Sequence, residues 1–221
     1  MTSSRLQAEI SKPGANHAGV ARRVAGQPRL IPEILNGLEA DQARTKYGCL
    51  KVLRLLSEQR PELLYPHFDR FAGLLDSNNN ILKWGGIIII GNLAAMDSGN
   101  QIDRLLERYL QPISGPALIT AANTIVGAGK VATAKPHLAE RILRALLQVE
   151  NATYQTPECR NVAIGHVLNS LALLIDQVCD HREVLDFVRR QTRNRRNAVK
   201  TRAAKLLRKL EKSAPGKPVS S

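Results

Sequence analysis

The chain has 221 residues, 43% hydrophobic but only 4% aromatic, which suits one solid domain or a short solenoid with a core of Leu, Ile, Val and Ala. Three cysteines (Cys49, Cys159, Cys179) lie within or beside helical patterns without framework spacing, so a disulfide scaffold is excluded and a reducing compartment is expected. The net charge is +13, and the first twenty residues lack the apolar run of a secretory signal, so the expected location is cytoplasmic.

Residues 1–28 are rich in Ser, Gly, Ala and Arg without sustained periodicity. They read as a flexible basic arm with a nascent helix around residues 20–24, and Arg22-Arg23 reads as part of a solvated tail. The first helical pair joins LIPEILNGLEAD to QARTKYGCLKVLRLLSEQ. Arg60-Pro61 then ends one helix, and Pro61 opens the next as a good first-turn residue. Leu63, Leu64, Phe68, Phe71, Leu74 and Leu75 form an inward stripe at helical spacing, and Ser77 to Asn80 supply capping oxygens.

Residues 76–97, DSNNNILKWGGIIIIGNLAAMD, are the centre of the pattern. The β-branched run Ile87 to Ile90 invites a strand, but the apolar pattern persists from Ile81 to Met96, too long for one. A membrane span fails as well, because Lys83 and Asp97 bracket only 13 uncharged residues where roughly 18 are needed. The predicted element is a helix apolar on nearly every side, which requires neighbours on both flanks. Beyond it, Ile102, Leu105, Leu106 and Leu110 precede a turn at residues 111–115 and the helix PALITAANTIVGAGK. LAERILRALLQV pairs with a helix over 159–176 across the loop ENATYQTPE, read as an ordinary length variation. The fifth pair ends at Lys212, and residues 213–221 read as a disordered tail.

The second helices are copies of one another. Lys46-Tyr47-Gly48-Cys49 lies 37 residues before Lys83-Trp84-Gly85-Gly86, and Cys159-Arg160 lies 40 before Val199-Lys200. Shorter amphipathic helices over 29–38, 62–75, 100–110, 136–149 and 182–192 precede them. A recurrence of about 37–40 residues is that of a two-helix solenoid. With the aspartate and apolar-basic pair of Asp76…Leu82-Lys83, the pair at Val199-Lys200, and the strings GNLA and VKTRAAKLLRKL, the chain resembles the HEAT/armadillo family over about residues 29–212. The resemblance implies an all-α solenoid of about five stacked helix pairs in a repeat domain spanning 29–212. The third repeat departs from the pattern, with Ile119-Thr120 in place of the apolar-basic pair.

Glycines inside helices (Gly48, Gly85, Gly86, Gly91, Gly165) are unfavourable by roughly 1 kcal/mol each against alanine. They read as points of close helix approach, since none belongs to a phosphate-loop arrangement. Lys46, Lys83, Arg160 and Lys200 begin four second helices and read as anchors for loop carbonyls or the repeat's own acid. Nine residues on lies a second ladder: Leu55, Asn92, Gly129 (or Ala128), Asn169 and Lys209. In armadillo proteins that bind extended peptides, an asparagine at a GNLA-like position bonds the partner's backbone. The resemblance therefore makes Asn92, Asn169 and Lys209 candidate partner contacts, although the usual tryptophan position is Ile88 here. An asparagine amide both donates to and accepts from a peptide unit; a buried asparagine bonding a neighbouring loop is the competing reading.

The charge is concentrated at one end. Residues 181–221 carry a net +10 and the first 180 residues only +3. Arg189, Arg190, Arg193, Arg195, Arg196, Arg202, Lys205, Lys209 and Lys212 form a candidate anion or nucleic-acid patch, with a polar capping repeat as the competing reading. Cys159 and His166 share a helix face, but no CxxC or HxxxH spacing supports a metal site, and no nucleophile motif supports catalysis. The expectation is a non-enzymatic scaffold without cofactor, binding a protein or peptide, possibly acidic, on its concave face. Phosphate-backbone binding of nucleic acid through the basic end is the alternative; neither a membrane span nor a small-molecule substrate is expected.

Overall fold

The computed structural model describes residues 5–178 and 181–213, and every regular element among them is helical. The chain divides into two compact units, Met1–Leu105 and Leu106–Ser221. The first holds α1 (Arg5–Ile10), α2 (His17–Gly26), α3 (Ile31–Asn36), α4 (Ala43–Gln59), α5 (Pro61–Leu64), α6 (Phe68–Gly73) and α7 (Asn80–Leu93). Helix α8 (Gln101–Leu110) runs through the division. The second unit continues with α9 (Leu118–Ala134), α10 (Ala139–Leu147), α11 (Pro157–Leu173), α12 (Ile175–Val178), α13 (Arg182–Gln191) and α14 (Asn197–Ser213). Short helices followed by long ones recur five times in chain order, at the positions the sequence recurrence predicts.

The start of the chain departs from the expected flexible arm. Leu6, Ile10, Val20, Ala21 and Val24 are buried, and α1 and α2 both pack on α4. Asn16 caps α2 by accepting the Gly19 N–H at 2.9 Å, and Arg23 pairs with Glu9 at 2.7 Å, joining the two helices. Helices this short have little stability of their own, so packing on α4 holds them. Residues 214–221 of the expected tail, like Cys179, lie outside the described residues.

The isoleucine run is helical. Ile87, Ile89 and Ile90 are buried within α7, which packs on both α4 and α6. It is shorter than residues 76–97: a 3₁₀ turn, Ala94–Met96, follows it, and Asn79 caps its start. The Asn79 side chain accepts the N–H groups of Ile81 and Leu82 and donates to the Tyr47 hydroxyl at 3.0 Å, tying α7 to α4. The helical glycines Gly85 and Gly86 sit where neighbours press in. A Cβ on Gly86 would lie 2.9 Å from the Phe71 carbonyl oxygen and 2.7 Å from Leu74 Cβ. Buried Asp97 then accepts the Tyr65 hydroxyl at 2.9 Å and the N–H groups of Gln101 and Ile102, starting α8.

In the second unit α11 packs against α9 on one side and α14 on the other, α10 against α9, and α13 against α14. The Ser170 hydroxyl donates to the Ile125 carbonyl at 3.1 Å, linking α11 to α9. The ENATYQTPE loop is pinned down: buried Tyr154 donates to the Ile113 carbonyl at 2.6 Å, and burial pushes its phenol up to about 12.

Candidate partner-binding surfaces

The ladder residues meet different fates. Asn92 is half-buried on α7, and its Nδ2 donates to Ser57 Oγ of α4 at 2.8 Å, while that hydroxyl donates to the Arg54 carbonyl at 2.7 Å. Its amide thus ties one second helix to the one before. Asn169 on α11 and Lys209 on α14 are exposed, and these two helices pack together. The corresponding rung of α9 is closed: Ala128 and Gly129 are both buried, and a Cβ on Gly129 would lie 3.1 Å from Ser170. Packing against α11 thus covers this position in α9, where small residues stand in place of an asparagine or lysine. Asn92 belongs to the first unit, Asn169 and Lys209 to the second.

Among the residues that begin second helices, Arg160 is an anchor as expected. Its Nη1 donates to the Glu150 carbonyl at 3.4 Å.

The basic end is less uniformly charged than its sequence. Arg190 makes a two-pronged pair with Glu150, at 3.2 and 2.7 Å, and Gln191 adds a third bond to the same carboxylate at 2.6 Å. Arg196 pairs with Glu158 and, helped by Asn161, holds that carboxyl below its usual range. Arg189 meets Asp186 at 3.4 Å. Arg193, Arg195, Arg202, Lys205, Lys209 and Lys212 are exposed, and none of them forms an ion pair among the described residues.

Cys159 is half-buried, with its sulfur accepting the Thr156 hydroxyl at 3.2 Å. Burial and the positive charge of Arg202 lower the His166 pKa. Among the described residues, no three His, Cys, Asp or Glu come close enough to hold a metal ion, and no helix is long and apolar enough to cross a membrane.

One concave surface includes none of Asn92, Asn169, Lys209 or the basic cluster, although the ladder's first position, Leu55, lines part of it. In the first unit, two depressions of about 310 and 250 Å³ flank α4 and share Tyr47 and Lys51. The first is edged by Lys12, His17 and Arg44; the second by Arg54, Leu55, Glu58 and Ile81. The signal was present as Arg44, Tyr47, Lys51, Arg54 and Glu58, spaced three or four apart opposite the buried stripe Cys49, Val52, Leu53 and Leu56. The same spacing belongs to the ordinary solvated face of any amphipathic helix, so by itself it marks no site.

No protein-family model matches the chain, and no curated protein matches it in sequence. Its fold does have likenesses. A designed armadillo repeat protein in complex with the peptide (KR)4 aligns with a TM-score of 0.61 at 11% identity, covering 93% of this chain and 90% of that one. Another designed armadillo repeat protein aligns at 0.58 and 12% identity, covering 93% and 90%. An engineered protein aligns at 0.60 and 12% identity, covering 95% and 88%. The chain has an armadillo/HEAT-like helical-repeat fold: an all-α solenoid of stacked helix pairs.

Proposed function

We propose that this chain is a non-enzymatic scaffold that holds a protein or peptide partner on the exposed faces of its second helices, with Asn92, Asn169 and Lys209 among the contacts. The observation that carries the reading is the exposed amide and ammonium of Asn169 and Lys209, standing on two helices packed side by side. An amide of this kind can donate to and accept from an extended backbone. Asn92, besides its proposed contact, holds α7 on α4 through its bond to Ser57. The designed neighbour in complex with (KR)4 supports peptide binding by such a fold. With a net charge of +13, this chain suits the opposite ligand charge. The test is capture of partners by the wild type and by the Asn92→Ala/Asn169→Ala/Lys209→Ala variant. Loss of specific partners by the variant is expected; retention of all of them contradicts the reading.

A second reading rests on α14. Lys200, Arg202, Lys205, Arg208, Lys209 and Lys212 are all exposed along it and form no ion pair among the described residues, so they are available to phosphates. Binding by such a row depends on counterion release and weakens steeply with salt. Mobility shifts at several salt concentrations decide it: no complex even at low salt removes nucleic acid as a partner.

A further inference from the structure

We infer that the trough crossing α4 in the first unit is a docking site for an extended acidic segment that carries an apolar side chain a short way from its carboxylates. The inference rests on the peptide-scaffold reading and names the chemistry of the partner at a particular place. Three arginines elsewhere in this unit are neutralised: Arg23 by Glu9, Arg60 by Glu62 and Arg70 by Glu39. Arg44, Lys51 and Arg54 are exposed and form no ion pair among the described residues, although all three edge a concave surface. Glu58 is the one acid in the two linings, against Lys12, Arg44, Lys51 and Arg54, and a rim of net positive charge raises the potential of a concavity and attracts an anion.

The two depressions differ in character. The one beside Lys12 and Arg44 suits carboxylates. The other presents Leu55 and Ile81, the latter 41% exposed and so open to an apolar partner. Its volume of about 250 Å³ exceeds the roughly 150 Å³ that accommodates a benzene in an apolar cavity, so an aliphatic or phenyl side chain fits. Helix neighbours lie about 8–10 Å apart. Depressions on either side of one helix are therefore separated by roughly three residues of extended chain. A nucleic-acid backbone supplies charge but nothing for the apolar floor, and Tyr47 is the single aromatic residue in either lining.

The test is an anisotropy titration of the full chain with a fluorescein-labelled peptide containing a run of glutamates and, three positions on, a leucine. Saturable binding that weakens with salt is expected. Replacing the glutamates by glutamines, or using Arg44→Glu/Lys51→Glu protein, should each weaken it about tenfold. Replacing the peptide leucine by serine, or using Leu55→Asp protein, should weaken it by about tenfold as well. The milder Arg44→Gln/Lys51→Gln protein, checked by circular dichroism, serves if the reversal unfolds. No saturable binding at low salt, indifference to the α4 substitutions, equal affinity with and without the leucine, or displacement by a duplex oligonucleotide at lower concentration than by unlabelled peptide would each overturn the inference. If it fails while the Asn92/Asn169/Lys209 variant still loses captured partners, the scaffold reading survives alone; if that variant also loses nothing, both fall.

Discussion

Gly86 and Gly73 separate close packing from mere tolerance of glycine. A side chain on Gly86 meets the Phe71 backbone, whereas one on Gly73 of α6 meets nothing within 4 Å. Gly86→Ala is therefore expected to lose about 1–3 kcal/mol through overpacking, despite alanine's better helix propensity. Gly73→Ala should gain about 0.4–1 kcal/mol by restricting the unfolded chain. Gly86→Leu should leave no cooperative folded state, and thermal melts of the three variants check this; an unchanged midpoint for Gly86→Leu contradicts it. Burial pushes the Cys49 thiol up to about 12, with Glu33 adding to the effect, so it is unreactive near neutral pH. Cys159 is half-buried. Site-resolved mass spectrometry after mild alkylation should find Cys159 modified and Cys49 untouched until unfolding. At His166 the folded pKa lies below the unfolded one because of burial and then Arg202, so the unfolded chain binds this proton first as pH falls. Its contribution is complete above about pH 6.5 and is lost below it. Urea midpoints should drop less between about pH 7.5 and 5.5 in His166→Asn than in the wild type.

At the scale of elements, what could be read in advance depended on length and on distance along the chain. Helix α7 was legible because its apolar pattern outlasts any ordinary strand, and the long second helices repeat it. Helices α1 and α2 carry the right spacing, Leu6 with Ile10 and Val20 with Val24, but over stretches too short to stand out from a tail. Their burial depends on α4, which no local pattern reveals. Deleting residues 1–26 should lower the urea midpoint clearly, since it removes five buried apolar side chains and uncovers the part of α4 they pack on, the larger ones worth up to about 1.5 kcal/mol each. An unchanged midpoint would restore the flexible arm. The candidate sites were less legible for a related reason. The basic cluster could be counted, but Glu150 and Glu158 approach Arg190 and Arg196 from the preceding repeat. The Tyr154 loop likewise looks like an insertion in sequence and is fastened by the Tyr154 hydroxyl on the Ile113 carbonyl and the Thr153 N–H on the Ser114 carbonyl.

For the molecule as a whole, the fold is a stack of helix pairs, and ion pairing decides which cations stay uncompensated on its surface. Arginines that pair across repeats stabilise the turns; among the cations outside those pairs, one set lines α14 in one unit and another edges the trough over α4 in the other. Both sets lie on second helices, where the proposed function puts the partner. Hydrogen exchange of the full chain, with and without the glutamate–leucine peptide, addresses that claim directly. The account predicts slowed exchange in α4, at the start of α7 and in the connection between α1 and α2. Slowing confined to first helices such as α6 and α10, or to α14 alone, would contradict it.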